Sequence, residues 1–179
     1  EPLGISAEKL ATVTEPLKAA GHEITAYDTK ETDQAKLLER VKDANIIILA
    51  NQPLSGDIIR QCPDLKFLSV AFTGVDHVDL AACREKGITT VLDNTWGAGL
   101  AFDAFRLGQT PDGDAFGVDV TIHALTKYPA GGGDVLMGAV VTRDVTLHHR
   151  LKMTHMRLGL GVGANDAELV LRGLPSLAV

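Results

Sequence analysis

Aromatic residues make up only 4% of this 179-residue chain, with a single Trp and only two cysteines. So few cysteines exclude a disulfide framework, and Cys62 and Cys83 stand at no metal-ligand spacing. So low a count fits a reducing compartment. Nothing approaches the ~20 apolar residues that cross a bilayer, and no stretch reads as a signal peptide, so a membrane partner is not expected. Positive charge is also scarce: 17 Lys and Arg against 23 Asp and Glu give a net charge of −6 and a pI near 5.4. That balance argues against nucleic acid as a partner. No P-loop, no G-x-S-x-G and no paired catalytic acids occur, nor do internal repeats or low-complexity tracts.

What remains is 45% apolar residues, mostly aliphatic, which suits an α/β protein with one sizeable core. Strand and helix patterns alternate along the chain. Residues 1–4 read as a loop. Ser6 caps a helix over 7–20 with Leu10, Val13 and Leu17 on its inner face and Pro16 as an interruption; His22–Tyr27 follows as a strand. Thr32 caps a helix over 33–43. The apolar run 45–50 reads as a strand covered on both faces. A short helix over 55–61, a strand over 65–72, a helix over 78–86 stopped by Gly87, and a strand over 88–92 come next. A helix over 97–107 and a strand over 118–124 follow. The strand over 135–141 is reached by a glycine-rich loop too short for a helical crossover, so it is expected to run antiparallel. Asp144 caps a helix to Met156, and Asn165-Asp166-Ala167-Glu168 reads as a capping box opening the last one. The expected fold is a single, mostly parallel sheet with helices on both faces, in one domain over 1–179.

Two stretches carry chemistry. Ala124-Leu125-Thr126-Lys127-Tyr128-Pro129 leaves a predicted strand, and Val91-Leu92-Asp93-Asn94-Thr95-Trp96 ends another, with Lys127 34 residues after Asp93. A lysine at a strand exit loses its proton more easily when desolvated. An aspartate on a neighbouring strand end can hold positive charge on a heterocycle. That pairing is what a pyridoxal phosphate (PLP) site needs, with an amine for a carbonyl and an acid for a ring nitrogen. An ordinary surface lysine and a helix-capping aspartate have the same spacing.

The text around these residues adds a resemblance. Asp93-Asn94-Thr95-Trp96-Gly97-Ala98-Gly99, Asp119 to Tyr128, Gly132 to Gly138 and the tail Arg157 to Leu174 resemble the cystathionine β-lyase and γ-synthase family, fold-type I PLP enzymes, over about 91–179. The resemblance implies Lys127 as the Schiff-base lysine, Asp93 as the partner of the pyridine nitrogen and Thr126 as a phosphate contact. It also implies a departure: Ala124 stands where many members carry a phosphate-binding Ser.

Residues 1–90 resemble a different family, the flavodoxin-like N-terminal domain of the D-2-hydroxyacid dehydrogenases. The likeness rests on Ile46 to Asn51, Cys62 to Phe67 and Ala71-Phe72-Thr73-Gly74-Val75-Asp76-His77-Val78-Asp79-Leu80. It implies Thr73, Gly74 and Val75 as a carboxylate-holding loop; a tight β-to-α turn with an acid near a helix start is the alternative. It further implies a strand before Glu1. Glycine distribution separates the halves, with five of 18 before residue 91 and 13 after it. The join falls near 88–92, inside a strand that both families would supply.

The resulting expectation is an engineered chimeric α/β scaffold without evolved activity, keeping a remnant PLP-lysine site. A PLP-dependent C–S lyase and a small-ligand binding domain are the alternatives. The family's phosphate-binding turn and ring-stacking tyrosine lie in the replaced region, and the NAD-binding domain with its catalytic Arg, Glu and His is missing, so no NAD is expected. Both families imply a cytoplasmic setting, and the chain is expected to be a monomer or homodimer. His148, His149 and His155 have no carboxylate or Cys at ligand spacing, and Asp76, His77 and Asp79 form a similarly weak cluster, so no metal is expected. Gly159-Leu160-Gly161-Val162-Gly163 is not G-x-G-x-x-G and reads as a helix-to-helix connection.

Overall fold

The computed structural model describes residues 4–178; the expected loop over 1–4 lies outside it except for Gly4. In chain order the helices are α1 (Ala7–Ala19), α2 (Gln34–Val41), α3 (Gly56–Arg60), α4 (Leu80–Glu85), α5 (Val145–Arg157) and α6 (Ala164–Gly173), with a 3-10 turn at Leu174–Ala178. The strands are β1 (Ile46–Leu49), β2 (Phe67–Val70), β3 (Thr89–Asp93), β4 (Gly108–Gln109), β5 (Ala115–Phe116), β6 (Val120–Ala124) and β7 (Gly138–Thr142). Five of them form one sheet in the order β1-β2-β3-β6-β7; the first four run parallel and β7 runs antiparallel to β6. This is the mostly parallel α/β sheet expected, and its antiparallel strand is where the short glycine loop puts it.

The middle of the sheet crosses residue 90 without a break. Val91 pairs with Val120 and Asp93 with Ile122. A side-chain clasp reinforces the ladder: Asp119 Oδ2 accepts from the Thr90 amide at 2.7 Å and from its hydroxyl at 2.9 Å. Thr90 Oγ1 in turn accepts from the Asp119 amide. Hydrogen bonds to a charged carboxylate are stronger than those between neutral groups, and Asp119 accepts two.

Register sorts the side chains into two faces. Ile47, Leu49, Leu68, Val70 and Leu92 point to one face and form the main core with Ile58, Ile59, Ala82 and Cys83 from α3 and α4 and Leu37 from α2. The other face is buried in its middle, at Val91 and Val120, but open at both ends. Ile46 and Ile48 are 57% and 54% exposed, so the expected cover on both faces of β1 is not met there. The helix that would provide it, α1, leaves Val13 and Leu17 exposed instead of turning them inward, and Pro16 sits within it without ending it.

Other local expectations also change. No strand forms over His22–Tyr27: Ile24 is half-buried at most, so no buried face rewards a ladder, and Tyr27 instead lies under the Arg40 guanidinium at 4.5 Å. Asp33, not Thr32, caps α2, its Oδ1 accepting from the Ala35 and Lys36 amides. No helix forms over 97–107, because Ala98 (φ 51°) and Gly99 (φ 76°) are both left-handed and two such residues in succession stop an α-helix. The same segment runs into the β4–β5 hairpin, closed by Leu107 N–H to the Phe116 carbonyl. Gly163 is the N-cap of α6, with no side-chain bond, so the expected capping box at Asn165–Glu168 does not form. Gly159–Gly163 does connect α5 to α6.

Candidate functional site

Asp93 ends β3 and Lys127 lies three residues past the end of β6, so neighbouring strands carry both toward the carboxyl edge of the sheet. Open α/β sheets bind ligands at that edge. Both residues are exposed. Asp93 Oδ1 accepts from the Thr95 hydroxyl at 2.6 Å and from its amide at 3.1 Å, and the same hydroxyl oxygen accepts from the Ala124 amide at 2.9 Å. Thr95 thus ties the ends of the two strands together. The sequence pattern did not single it out, although Asp-x-Thr is the spacing of a side-chain-closed turn.

Thr126 is turned to a structural task. Its Oγ1 accepts from the Met137 amide at 3.1 Å and donates to the Met137 carbonyl at 3.3 Å, joining the exit of β6 to the approach to β7. Asn94, 2% exposed, has no hydrogen-bond partner at Oδ1, and a Cβ on Gly97 would lie 2.1 Å from that oxygen. Gly97 is therefore the residue that leaves room for the amide. Trp96 and Tyr128 meet edge-to-face at 6.0 Å, an exposed aromatic pair contributed by the two marked stretches. His123, on β6, has its pKa lowered, first by burial, with the nearby Asp93 charge and the Asn94 main chain opposing. Its Nε2 lies 3.1 Å from Thr121 Oγ1.

The donor set fits one end of a PLP molecule. Lys127 offers an amine for the aldehyde and Asp93 Oδ2 is left out of the Thr95 turn, free for a ring nitrogen. It does not fit the phosphate: Ala124 has no polar side chain and the Thr126 hydroxyl is committed to Met137.

The residues expected to hold a carboxylate lie elsewhere, in the turn after β2. Thr73 is exposed, while Gly74 and Val75 line a separate cavity of about 480 Å³ with Phe102, Leu107 and Phe116. The sequence reading missed those three side chains. Their signal was Thr110-Pro111-Asp112-Gly113, a turn sequence between Leu107 and Phe116 that marks a hairpin. His148, His149 and His155 all sit on α5, and no group that could hold a metal ion occurs among the described residues. Cys62 and Cys83 are buried and unlinked; burial pushes the Cys83 thiol up to about 12. No helix among the described residues is long and apolar enough to cross a membrane.

Comparison with known proteins finds both families. The model for Cys/Met metabolism PLP-dependent enzymes matches residues 69–179, and that for the D-isomer specific 2-hydroxyacid dehydrogenase catalytic domain matches residues 5–93. A cystathionine beta-lyase of Bordetella avium is 30% identical over 163 residues, 91% of this chain and 35% of that protein. A glycerate dehydrogenase of Methylorubrum extorquens is 40% identical over 70 residues, 39% of this chain and 22% of that protein. Among solved structures, a methionine gamma lyase from Micromonospora echinospora superposes with a TM-score of 0.54 at 27% identity, covering 80% of this chain and 45% of that one. The chain therefore spans less than half the length of these relatives. The PLP-family match begins at residue 69, upstream of the segment on which the resemblance was read, so the two families overlap over 69–93. The chain belongs to the Cys/Met metabolism PLP-dependent enzyme family over residues 69–179, and its residues 5–93, through strand β3, are similar to the D-isomer specific 2-hydroxyacid dehydrogenase catalytic domain.

Proposed function

We propose that the chain is an engineered chimeric α/β scaffold, one domain over 1–179 with its seam near 88–92, that has no evolved catalytic activity and keeps a remnant PLP-lysine site at Lys127 and Asp93. The observation that carries this reading is where the polar groups of the site are spent. Thr126 Oγ1 is bonded to Met137 and Asp93 Oδ1 to Thr95, so these two oxygens hold the fold together and leave only Lys127 and Asp93 Oδ2 to meet a ligand. Bound PLP would supply an electron sink, but Lys127 is exposed and the Thr126 hydroxyl is taken, so the coenzyme and a substrate would be poorly positioned.

The second reading, a PLP-dependent C–S lyase, is favoured by the Bordetella avium cystathionine beta-lyase, whose likeness runs through 91% of this chain. One experiment separates them. The protein and its Lys127→Ala variant are incubated with PLP, reduced with borohydride and mapped by mass spectrometry, and pyruvate release from cystathionine is measured in parallel. The scaffold reading expects partial adduct at Lys127, none there in the variant, and no pyruvate above free PLP. Lysine-dependent pyruvate release would establish the lyase.

A further inference from the structure

The cavity behind Gly74 lies within the residues matched to the PLP-dependent family and draws on both sides of β3. Val75, Val78 and Leu80 line it from the β2–α4 connection, and Phe102, Leu107 and Phe116 from the segment between β3 and β6. At about 480 Å³ it is large enough for a small ring compound. Its far wall is built, not incidental. A Cβ on Gly108 would lie 2.7 Å from the Phe116 ring, so any larger residue there would push the ring out of its place across the hairpin. The Arg84 guanidinium, 5.7 Å from the ring centroid, stacks on Phe116. Phe102 packs on the main core.

The charged side chains that line this cavity are both acidic, with the Arg84 guanidinium set against its Phe116 wall. Its lining includes Asp76 and Asp79 and no Lys, Arg or His. Asp79 is occupied as the N-cap of α4, its Oδ1 accepting from the Ala82 amide at 2.9 Å. Asp76 has its side chain 98% exposed, leaving its carboxylate at the mouth. An apolar interior with a carboxylate at the entrance selects against an anion and in favour of a hydrophobic cation. We propose that this cavity binds a small aromatic amine, the ring against Phe102, Leu107 and Phe116 and the ammonium beside Asp76. The opposing influence is the backbone amides of the Gly74 turn, which attract anions. The site is independent of Lys127.

The test is a titration followed by amide NMR at about pH 8, where ordinary imidazoles are neutral. The ligands are phenethylamine, its anionic counterpart 3-phenylpropionate and the neutral 2-phenylethanol. The expected result is saturable shifts at Gly74, Val75, Leu107 and Phe116 with the amine, weaker binding of the alcohol, and the weakest of the acid. Asp76→Asn should loosen the amine about two- to fivefold, as an exposed charge pair does, and leave the alcohol unchanged. Leu107→Lys, at a position 39% exposed, should abolish amine binding with the amide spectrum otherwise native, while Lys127→Ala should leave it unaltered. Tighter binding of 3-phenylpropionate would give the selection to the Gly74 amides and overturn the proposal. So would shifts that map elsewhere, equal affinities for the three ligands, or no saturation.

Discussion

Replacing Leu92 by Ala tests whether the two family segments fold as one. Leu92 is 0% exposed on β3, with Val70 beside it on β2 and Thr121 on β6. It belongs to the main core, and the side chains packed with it, Leu68 and Val70, are themselves fully or almost fully buried and held by parallel ladders on both sides. The site therefore has little freedom to collapse, and Leu→Ala should cost about 3–4 kcal/mol, in the upper part of the usual range. With a urea m-value of about 2 kcal/mol per molar, the midpoint should fall by roughly 1.5–2 M. The same truncation at Ile48, 54% exposed on β1, should cost well under about 1 kcal/mol and serves as the control. The assay needs two probes: Trp96, the only tryptophan, reports on the segment after β3, and far-UV circular dichroism reports on the whole chain. Both should move together in the native protein and in the variant. Separated transitions, or a Leu92→Ala shift below about 0.5 M, would refute a sheet that is cooperative through β3.

Two further outcomes follow from the site. Thr126→Val keeps the shape but removes both hydroxyl bonds to Met137, and should destabilise by about 1–2 kcal/mol and speed amide exchange at Met137, without lowering PLP labelling of Lys127. The pKa of His123 is lowered by burial, so the native state favours the neutral ring; stability from this group is full above about pH 6.5 and is lost as the pH falls through the native pKa. Denaturation midpoints measured from pH 8 to pH 5 should therefore decline on the acid side, and His123→Gln should flatten that decline.

The sequence made β1, β2, β3 and β6 legible because a parallel strand needs an apolar run and little else, and β7 because a glycine loop cannot hold a crossover helix. It failed where a short local pattern had two outcomes. The apolar spacing over 97–107 suits a helix, but Ala98 and Gly99 turn left-handed and the chain makes a hairpin with strands of two residues each. At the site, the strand-end positions of Asp93 and Lys127 followed from the elements. The commitment of Thr126 did not, because its partner Met137 is set by the antiparallel register of β7, which no run of residues encodes.

The overlap of the two family matches over 69–93 has a physical counterpart. Over that stretch this chain forms the end of a buried parallel strand, a short helix and another buried strand, β2, α4 and β3, with apolar side chains alternating onto one core. Any pair of such segments can share it if the face they present is continuous. One face here is, because α2, α3 and α4 all precede β3 and cover it, and only Ala104 and Val118 of the buried core come from beyond. The other face depends on helices before and after β3, and there the cover fails: α5 buries no residue, and Ile46, Ile48, Ile122 and Val140 remain exposed. The later segment has a satellite core of just Ala130, Val135 and Val170. Such a cluster is too small to stabilise β6 and β7 unaided. Their stability must be borrowed through the β3–β6 ladder and the Thr90–Asp119 clasp, so damage at Leu92 should reach Trp96 and Lys127 as well as the core it directly touches.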